Sequence, residues 1–189
     1  GMQAAQPKLL QTLGRIHTFA EVEASVKLAR RAGIRNLNLD LMFGLPGQTL
    51  ADWTETLEAA LSLQPEHLSC YGLIPEEGTQ IGDAVLSGAL ALPEEAEERA
   101  MYDLTLRRLA QAGFVQYEIS NFAKPGYACQ HNLGYWRQTP YLGLGPSAAS
   151  MLPGRRAGEF CYRRTNVRDL AAYLHQAEKG MFTPAEEES

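Results

Sequence analysis

Cysteine is scarce in this chain, and its few copies lie far apart. Only three occur among the 189 residues, at Cys70, Cys129 and Cys161. An odd number of widely separated cysteines argues against a disulfide framework and against a local CxxC-type metal site.

Excess basic charge and long apolar runs are also lacking. The chain has 17 Lys and Arg against 22 Asp and Glu, a formal net charge of -5 and a pI of about 5.4. It therefore lacks the basic footprint of a nucleic-acid-binding protein. No apolar run approaches the roughly 18 residues of a membrane span, and no secretory signal peptide opens the sequence. We expect a cytoplasmic protein that binds no nucleic acid.

The stretch that organises the rest of the chain is residues 36–49, NLNLDLMFGLPGQT. Leu alternates with Asn and Asp through residues 36–41, which is the period-2 pattern of a strand with one apolar and one polar face. A turn then leads into a helix over residues 50–63 that Thr49 can cap, and a second strand follows over residues 67–74. Connections this short predict a βαβ unit with two parallel strands.

An acidic residue, Asp40, lies near the carboxyl end of the first predicted strand. A parallel strand buried on both sides reads as a nearly continuous apolar run, so a carboxylate there needs an explanation. Ligands of α/β sheets and barrels bind at the carboxyl ends of the strands, and Asp40 is therefore the first candidate binding residue. The alternative is a partly solvated strand whose Asp is held by loop amides.

Helices are predicted on both sides of this unit. Thr18 and Glu21 have the spacing of a capping box ahead of an apolar stripe. One short helix is expected within residues 75–91. A longer helix begins at Pro93, and its acidic first turn matches the helix dipole.

The later part of the chain is less regular. Residues 114–120 predict a strand, whereas residues 121–145 show no helical period and predict a long aromatic-rich loop, which is typical of a functional segment. Asn166 is the expected cap of a last helix, with Leu170 and Leu174 facing inward.

Five stretches, taken together and in order, resemble a known family. They are LGRIHT, NLDLMFGLPGQT, LQPEHLSCYGLIPEEGT, YEISNFAKPGYACQHNLGYW and YLGLGPSAAS. The chain from Gln3 to about Lys179 resembles the oxygen-independent coproporphyrinogen III oxidase family of radical SAM proteins. Its HNxxYW motif is similar to that of a branch regarded as heme chaperones.

The resemblance implies an α/β fold, the C-terminal part of a partial (β/α)6 radical SAM (TIM-like) barrel with a following α/β extension. The amino-terminal part of such a barrel carries a CxxxCxxC motif that binds a 4Fe-4S cluster, with S-adenosylmethionine on the open iron. That motif is absent here, and three separated cysteines cannot replace it. We therefore expect a fragment that begins after the cluster loop and generates no radical alone.

The expected organisation is one truncated domain over residues 1–189. Residues 3–91, approximately, would hold the last βα units of the barrel, residues 92–180 post-barrel helices and strands, and residues 181–189 a tail. The first strand would lack its upstream neighbour, and an unpaired strand edge tends to pair with a second copy or to be covered by a rearranged terminus. The prediction is a homodimer formed through this edge.

The resemblance also assigns residues to S-adenosylmethionine. Gln3, Arg15 and Asp40 match positions that contact it in the family. The chemistry suits them, because Asp accepts two ribose hydroxyls, Arg can bind a carboxylate through two hydrogen bonds, and Gln offers a donor and an acceptor. Ile74 and Ala149 match positions that touch the cofactor by backbone or packing; for both, plain core is the alternative.

The HNxxYW motif implies a heme or substrate role for His131, Asn132, Tyr135 and Trp136. A neutral imidazole is a common axial ligand of heme iron, and the two aromatic rings could pack against a porphyrin. Cys129 is a second candidate ligand. The alternative is structural, with Asn bonding backbone amides and the aromatic rings filling the edge of the core. The other histidines show no partner pattern and are interpreted as ordinary surface or hydrogen-bonded residues: His17, His67 and His175.

The function expected of the parent protein is heme binding and delivery, with heme or a porphyrinogen as ligand and a membrane protein as possible heme acceptor. The alternative is an oxygen-independent coproporphyrinogen III oxidase, which forms protoporphyrinogen IX by oxidative decarboxylation through a 5'-deoxyadenosyl radical. A third hypothesis is a non-catalytic, stand-alone dimeric domain.

Overall fold

The computed structural model describes residues 1–154, 161–180 and 184–188. The chain forms two compact units, Gly1–Ala128 and Cys129–Ser189, and both contain helices and strands. The predicted α/β class is therefore confirmed. Within the described ranges, no helix combines the length and apolar character needed to cross a membrane.

In the first unit, a mixed sheet is flanked by helices. The strand order is β1-β2-β4-β3, with β1 and β2 parallel and the other neighbouring pairs antiparallel. Helix α3 connects β1 to β2, so the predicted βαβ unit is confirmed. The elements are α1 (Pro7–Thr12), α2 (Phe19–Arg31), β1 (Asn38–Phe43), α3 (Leu50–Ser62), β2 (His67–Gly72), α4 (Gln80–Leu86), α5 (Glu95–Gln111), β3 (Val115–Gln116) and β4 (Asn121–Ala123).

Both predicted capping signals are used. Helix α2 begins with a capping box of Thr18 and Glu21, and α3 begins with one of Thr49 and Asp52. In the second box, Thr49 N donates to Asp52 Oδ2 at 2.8 Å and Asp52 N donates to Thr49 Oγ1 at 3.1 Å. These contacts satisfy amides that the first helical turn leaves without partners.

The core of the first unit lies on one face of the sheet, where α3 and α5 cover it. Trp53 is fully buried, and its indole nitrogen donates to Thr105 Oγ1 at 2.9 Å and to the Met101 carbonyl oxygen at 3.1 Å. The alternation in β1 and β2 sends every second side chain into this core. Its buried members include Leu39, Leu41, Phe43, Trp53, Leu57, Ala60, Leu68, Cys70, Met101, Leu109 and Phe122.

The strand expected over residues 114–120 is interrupted, so this prediction is wrong in extent. Only Val115–Gln116 and Asn121–Ala123 are strands, and they pair with each other as a hairpin. The carboxylate of Glu118 accepts a hydrogen bond from Ser120 N at 2.9 Å. This local side-chain contact stabilises the turn in place of a continuous strand.

The second unit contains a small antiparallel sheet of order β5-β6-β7. Its described elements are α6 (Gln130–Trp136), β5 (Ala149–Pro153), β6 (Cys161–Thr165), α7 (Leu170–Lys179) and β7 (Glu186–Glu188). Part of the expected tail over residues 181–189 is thus strand β7, while residues 181–183 and 189 lie outside the described ranges.

The loop expected over residues 121–145 contains helix α6, so the absence of a helix there was a wrong prediction. A helix of 7 residues is too short to show a clear period in the sequence. It is supported by contacts between aromatic rings. The rings of His131 and Tyr135, one turn apart on the helix, are separated by 4.7 Å, and those of Tyr135 and Tyr141, which lies beyond the helix, by 4.8 Å.

Asn166 does not cap the last helix, which begins at Leu170 with Asp169 as its cap. Asn166 is buried instead, and its Nδ2 donates to the carbonyl oxygens of Gly143 at 3.2 Å and Gly145 at 2.9 Å. The prediction that Leu170 and Leu174 face inward is also wrong, because both side chains are more than half exposed. An apolar stripe shows which face of a helix could be buried, and the surrounding fold decides whether it is.

Candidate functional site

The two central strands of the first unit share a polar face. In β1 and β2, residues 38 and 40 lie beside residues 67 and 69 in register, on the face opposite the apolar core. Asn38, Asp40, His67 and Ser69 therefore project to the same side. Asn121 of β4 pairs with Ser69 and extends this face; its Oδ1 is buried and has no hydrogen-bond partner among the described residues.

Hydrogen bonds join this face into one network. Asn38 Nδ2 donates to Asp40 Oδ1 at 2.7 Å, and Asn38 Oδ1 lies 2.7 Å from His67 Nδ1. On the other side of the ring, His67 Nε2 lies 2.7 Å from the hydroxyl of Tyr117. Ser69 Oγ donates to Asn38 Oδ1 at 3.3 Å. The network leads from a 40% exposed carboxylate to the buried imidazole.

The structure brings Gln3 next to Asp40. Gln3 N donates to the Asp40 carbonyl oxygen at 2.8 Å, and Met42 N donates to the Gln3 carbonyl oxygen at 2.9 Å. Gln3 is buried and has a φ of 62°. The expectation that the free edge of β1 is unpaired is therefore wrong between Asp40 and Met42, because a residue upstream of α1 bonds to it.

The side chains of Gln3 and Asp40 both lie against Gly1. A Cβ atom added to Gly1 would collide with Nε2 of Gln3 and would lie 3.8 Å from Oδ2 of Asp40. The Asp40 side chain is 40% exposed, so the carboxylate is accessible to a ligand.

Arg15 lies in the connection between α1 and α2, and its side chain is exposed. Within the described ranges no ion pair joins it to Asp40. The connection is held near the Gln3 segment, since His17 Nε2 lies 3.3 Å from the Met2 carbonyl oxygen. The structure thus brings together Gln3 and Asp40, and in the part of the chain that it describes Arg15 forms no ion pair.

Ile74 lies just beyond β2 and is 78% exposed. It lines a cavity of about 520 Å³ together with Tyr71 and Glu98. The glutamate approaches closely because Gly72 has no side chain: a Cβ added there would lie 3.0 Å from Glu98 Oε1. Ala149, the other packing candidate, lies in β5 of the second unit and pairs with Thr165.

None of the cysteines is placed to hold a cluster. Burial raises the pKa of the Cys70 thiol far above its usual range, and the nearby charge of Asp40 raises it further. Cys129 and Cys161 are also free thiols. Across the described ranges, no group of three His, Cys, Asp or Glu residues could bind a metal ion.

The motif residues of the second unit lie on α6. His131 and Tyr135, four positions apart, stack edge to face with a ring separation of 4.7 Å, and both are exposed. Trp136 is 57% exposed. Asn132 is half-buried, and Cys129 precedes the helix at its cap position. These aromatic rings therefore form an accessible surface with a histidine among them.

Sequence reasoning missed the polar network that begins at Asp40, in which Asn38 bonds Asp40, His67 bonds Asn38 and Tyr117 bonds His67. The available signal was the alternation in β2, where His67 and Ser69 alternate with Leu68 and Cys70 just as Asn38 and Asp40 alternate with leucines. Tyr117 could not be found in this way, because only the hairpin brings it to the imidazole.

Comparisons with known proteins show what this chain is similar to. The radical SAM superfamily profile matches residues 1–60. Coproporphyrinogen III oxidase (HemN) from Escherichia coli, described as a radical SAM enzyme, has a similar fold: the TM-score is 0.73 at 20% identity, covering 98% of this chain and 44% of that one. Residues 1–60 thus match the radical SAM superfamily in sequence, and the fold of the chain is similar to part of the oxidase structure.

Relatives with higher sequence identity are also known. The chain is 40% identical over 181 residues to heme chaperone HemW of Bacillus subtilis, covering 95% of this chain and 46% of the relative. It is 43% identical over 148 residues to heme chaperone HemW of Escherichia coli, covering 78% and 38%. The chain thus spans less than half the length of these relatives. These similarities support the resemblance of the chain to the coproporphyrinogen III oxidase-like family and, within it, to the proteins named heme chaperones.

Proposed function

We propose that this chain is the part of a heme chaperone that carries the heme-contact surface and half of a nucleoside-cofactor site. The observation that carries the proposal is the exposed surface of α6, where His131 stacks on Tyr135 beside Trp136. A neutral imidazole can ligate heme iron through one nitrogen, and neighbouring aromatic rings can cover the porphyrin face. The names of the relatives support this assignment.

A hemin titration followed by absorbance in the Soret region tests this role. His131→Ala should abolish the spectrum of histidine-ligated heme, and Trp136→Ala should weaken binding. His175→Ala is the matched control, because His175 is exposed on α7 of the same unit. Cys129→Ser tests the second candidate ligand. If hemin binds equally to the wild type and to His131→Ala, this residue is not the ligand.

The second half of the proposal concerns S-adenosylmethionine, for which Asp40, Gln3 and Arg15 are the candidate contacts. The residues fit such a ligand: Asp40 Oδ2 faces an accessible side, the Gln3 amide lies close by, and Arg15 is an exposed cation. In this arrangement the carboxylate accepts ribose hydroxyls, the amide orients the ligand, and the guanidinium binds a carboxylate. When bound beside a cluster, the cofactor supplies a 5'-deoxyadenosyl radical.

The 4Fe-4S cluster does not fit the residues of this chain, because its three cysteines form no common site. We therefore assign binding and orientation of the cofactor to these residues and no radical step. Equilibrium dialysis with S-adenosylmethionine tests the assignment. Asp40→Asn should weaken binding about tenfold or more, the size of a lost charge-assisted hydrogen bond. Asp103→Asn is the control, since Asp103 pairs with Arg99 on an exposed helix face.

Oxidative decarboxylation of coproporphyrinogen III is the second candidate function, because the chain shares its fold with the Escherichia coli oxidase. The longer parent protein, with its cluster reconstituted, should be incubated separately with hemin and with coproporphyrinogen III. A stable heme spectrum without decarboxylation favours the chaperone. Formation of protoporphyrinogen IX would make the oxidase the better assignment.

A cytoplasmic location, a membrane-protein heme acceptor and a homodimer also belong to the proposal. Gln3 covers the edge of β1 only beside Asp40 and Met42, which leaves the region around Asn38 for a second copy. Light scattering of the purified chain tests the dimer, and a monodisperse monomer would count against it. A dimer that binds neither hemin nor S-adenosylmethionine would favour the stand-alone, non-catalytic domain.

A further inference from the structure

The hydrogen bonds of the polar network around Asp40 all run in the same donor-to-acceptor direction. This direction follows from which groups can donate and which can only accept. An ionised carboxylate only accepts hydrogen bonds, so the atom of Asn38 that faces Asp40 Oδ1 at 2.7 Å is the amide nitrogen. The amide oxygen then faces His67 Nδ1 at 2.7 Å. Because that oxygen can only accept, Nδ1 carries the proton.

The same reasoning continues through the ring. A neutral imidazole with a proton on Nδ1 has its lone pair on Nε2, which lies 2.7 Å from the Tyr117 hydroxyl. Tyr117 therefore donates to His67, His67 donates to Asn38, and Asn38 donates to Asp40. Ser69 fills the second lone pair of the Asn38 oxygen, at 3.3 Å. Every donor in the network points toward the carboxylate.

Burial stabilises this arrangement. His67 is 5% exposed and Ser69 is 2% exposed, whereas the Asp40 side chain at the end of the network is 40% exposed. Burial lowers the pKa of His67, although the negative charges of Asp40 and Glu118 act in the opposite direction. The lowered pKa favours the neutral imidazole at pH 7, the state in which Tyr117 donates to Nε2. His67 and Ser69 are therefore held in the interior, whereas Asn38 and the Asp40 carboxylate are accessible to a ligand.

We propose that Asn38 and His67 are positioning residues, which hold the Asp40 carboxylate in one plane for a ligand that carries two neighbouring hydroxyl groups. Two hydroxyls on adjacent carbons need two carboxylate oxygens in a set orientation, and Asn38 determines that orientation by binding Oδ1. The inference rests on the proposed nucleoside site at Asp40. It adds that a buried histidine controls how well the ribose diol is recognised.

The first test needs no ligand and no variant. Long-range ¹H–¹⁵N correlation spectra of the wild-type chain report the protonated nitrogen of each histidine ring. At pH 7, His67 should be neutral with its proton on Nδ1. A proton on Nε2, or a charged ring at this pH, would reverse the assigned directions and overturn the proposal.

The second test measures diol recognition by titrating adenosine and 2'-deoxyadenosine into the chain under NMR observation. The wild type should prefer adenosine, and His67→Phe should lower that preference by about three- to tenfold, the size of one ordinary hydrogen bond. His67→Asn should restore most of it, because its amide can donate to Asn38 in place of Nδ1. His175→Asn is the matched control and should match the wild type.

The outcomes separate the two proposals. If the wild type shows no preference for adenosine, the nucleoside site at Asp40 is wrong, and the positioning role is wrong with it. If the wild type prefers adenosine and His67→Phe keeps that preference, the nucleoside site stands and the positioning role is overturned. Should His67→Phe fail to fold, the wild-type ring spectra together with His67→Asn still decide.

Discussion

The guanidinium group of Arg30 and the carboxylate of Glu66 meet at 2.8 and 3.0 Å, which joins the end of α2 to the residue before β2. Glu66 also accepts a hydrogen bond from Leu37 N at 3.0 Å. The side chains are 30% and 15% exposed, respectively. The pair therefore links the segment that leads into β1 to the segment that leads into β2.

Glu66→Gln should lower the free energy of unfolding by about 1–3 kcal/mol at pH 7, because it removes a charged acceptor from two partly buried donors. Urea denaturation measures this loss. Asp103→Asn provides the comparison, since its ion pair with Arg99 is largely exposed and should contribute less than about 1 kcal/mol. Equal losses in the two variants would contradict the structural role given to Glu66.

The same pair predicts acid sensitivity. Burial alone would raise the pKa of Glu66, but the hydrogen bonds from Leu37 N and Arg30 outweigh it and lower the pKa below the usual 4.5. A carboxylate with a lowered pKa in the folded state stabilises the fold above about pH 4.5, and this contribution is lost as the pH falls further. Between pH 6 and 3, the free energy of unfolding should fall less steeply with decreasing pH for Glu66→Gln than for the wild type. Denaturation curves recorded at several pH values measure this.

The buried His67 should make the free energy of unfolding depend on pH in a second, higher pH range. Because burial lowers its pKa in the folded state, the unfolded chain binds the proton more readily below the usual value of 6.5. The free energy of unfolding should therefore fall as the pH drops below about 6.5, toward the lower pKa of the folded state. His67→Asn should remove this part of the profile between pH 8 and 5, and His175→Asn should keep it.

The buried indole of Trp53 needs a hydrogen-bond acceptor inside the core. Thr105→Val removes the hydroxyl that accepts from Trp53 Nε1 at 2.9 Å and leaves the Met101 carbonyl oxygen as its partner. We expect a loss of about 1 kcal/mol in the free energy of unfolding, measured by denaturation. Thr54→Val on the exposed face of α3 should change it by less than about 0.5 kcal/mol.

Two glycines of the second unit should respond in opposite directions to alanine. A Cβ at Gly143 would collide with the carbonyl oxygen of Ala149, so Gly143→Ala should destabilise the unit, by about 1–3 kcal/mol. Gly134 lies inside α6, and the nearest atom to its added Cβ is 3.9 Å away. Gly134→Ala should therefore stabilise the helix by about 0.5–1 kcal/mol. Thermal unfolding of both variants checks the signs.

Local patterns predicted the parts of the fold that local chemistry decides. The capping box of Thr18 and Glu21, the cap at Thr49 and the βαβ unit around residues 36–74 were readable because they follow from the spacing of side chains along the sequence. Helix α6 was missed because 7 residues carry too short a pattern. Leu170 and Leu174 were placed inside because a stripe cannot report what packs against it.

The sequence by itself determined the family resemblance, the parallel pair of strands and the candidate Asp40, because motifs and alternation are properties of neighbouring residues. Only the tertiary structure decided which groups join the network that begins at this carboxylate. Asn38, His67 and Tyr117 come from three separate segments, and they form one network because the register of β1 with β2 and the hairpin of β3 with β4 bring them within hydrogen-bonding distance. Register and hairpin geometry depend on long-range packing, and no local pattern encodes them.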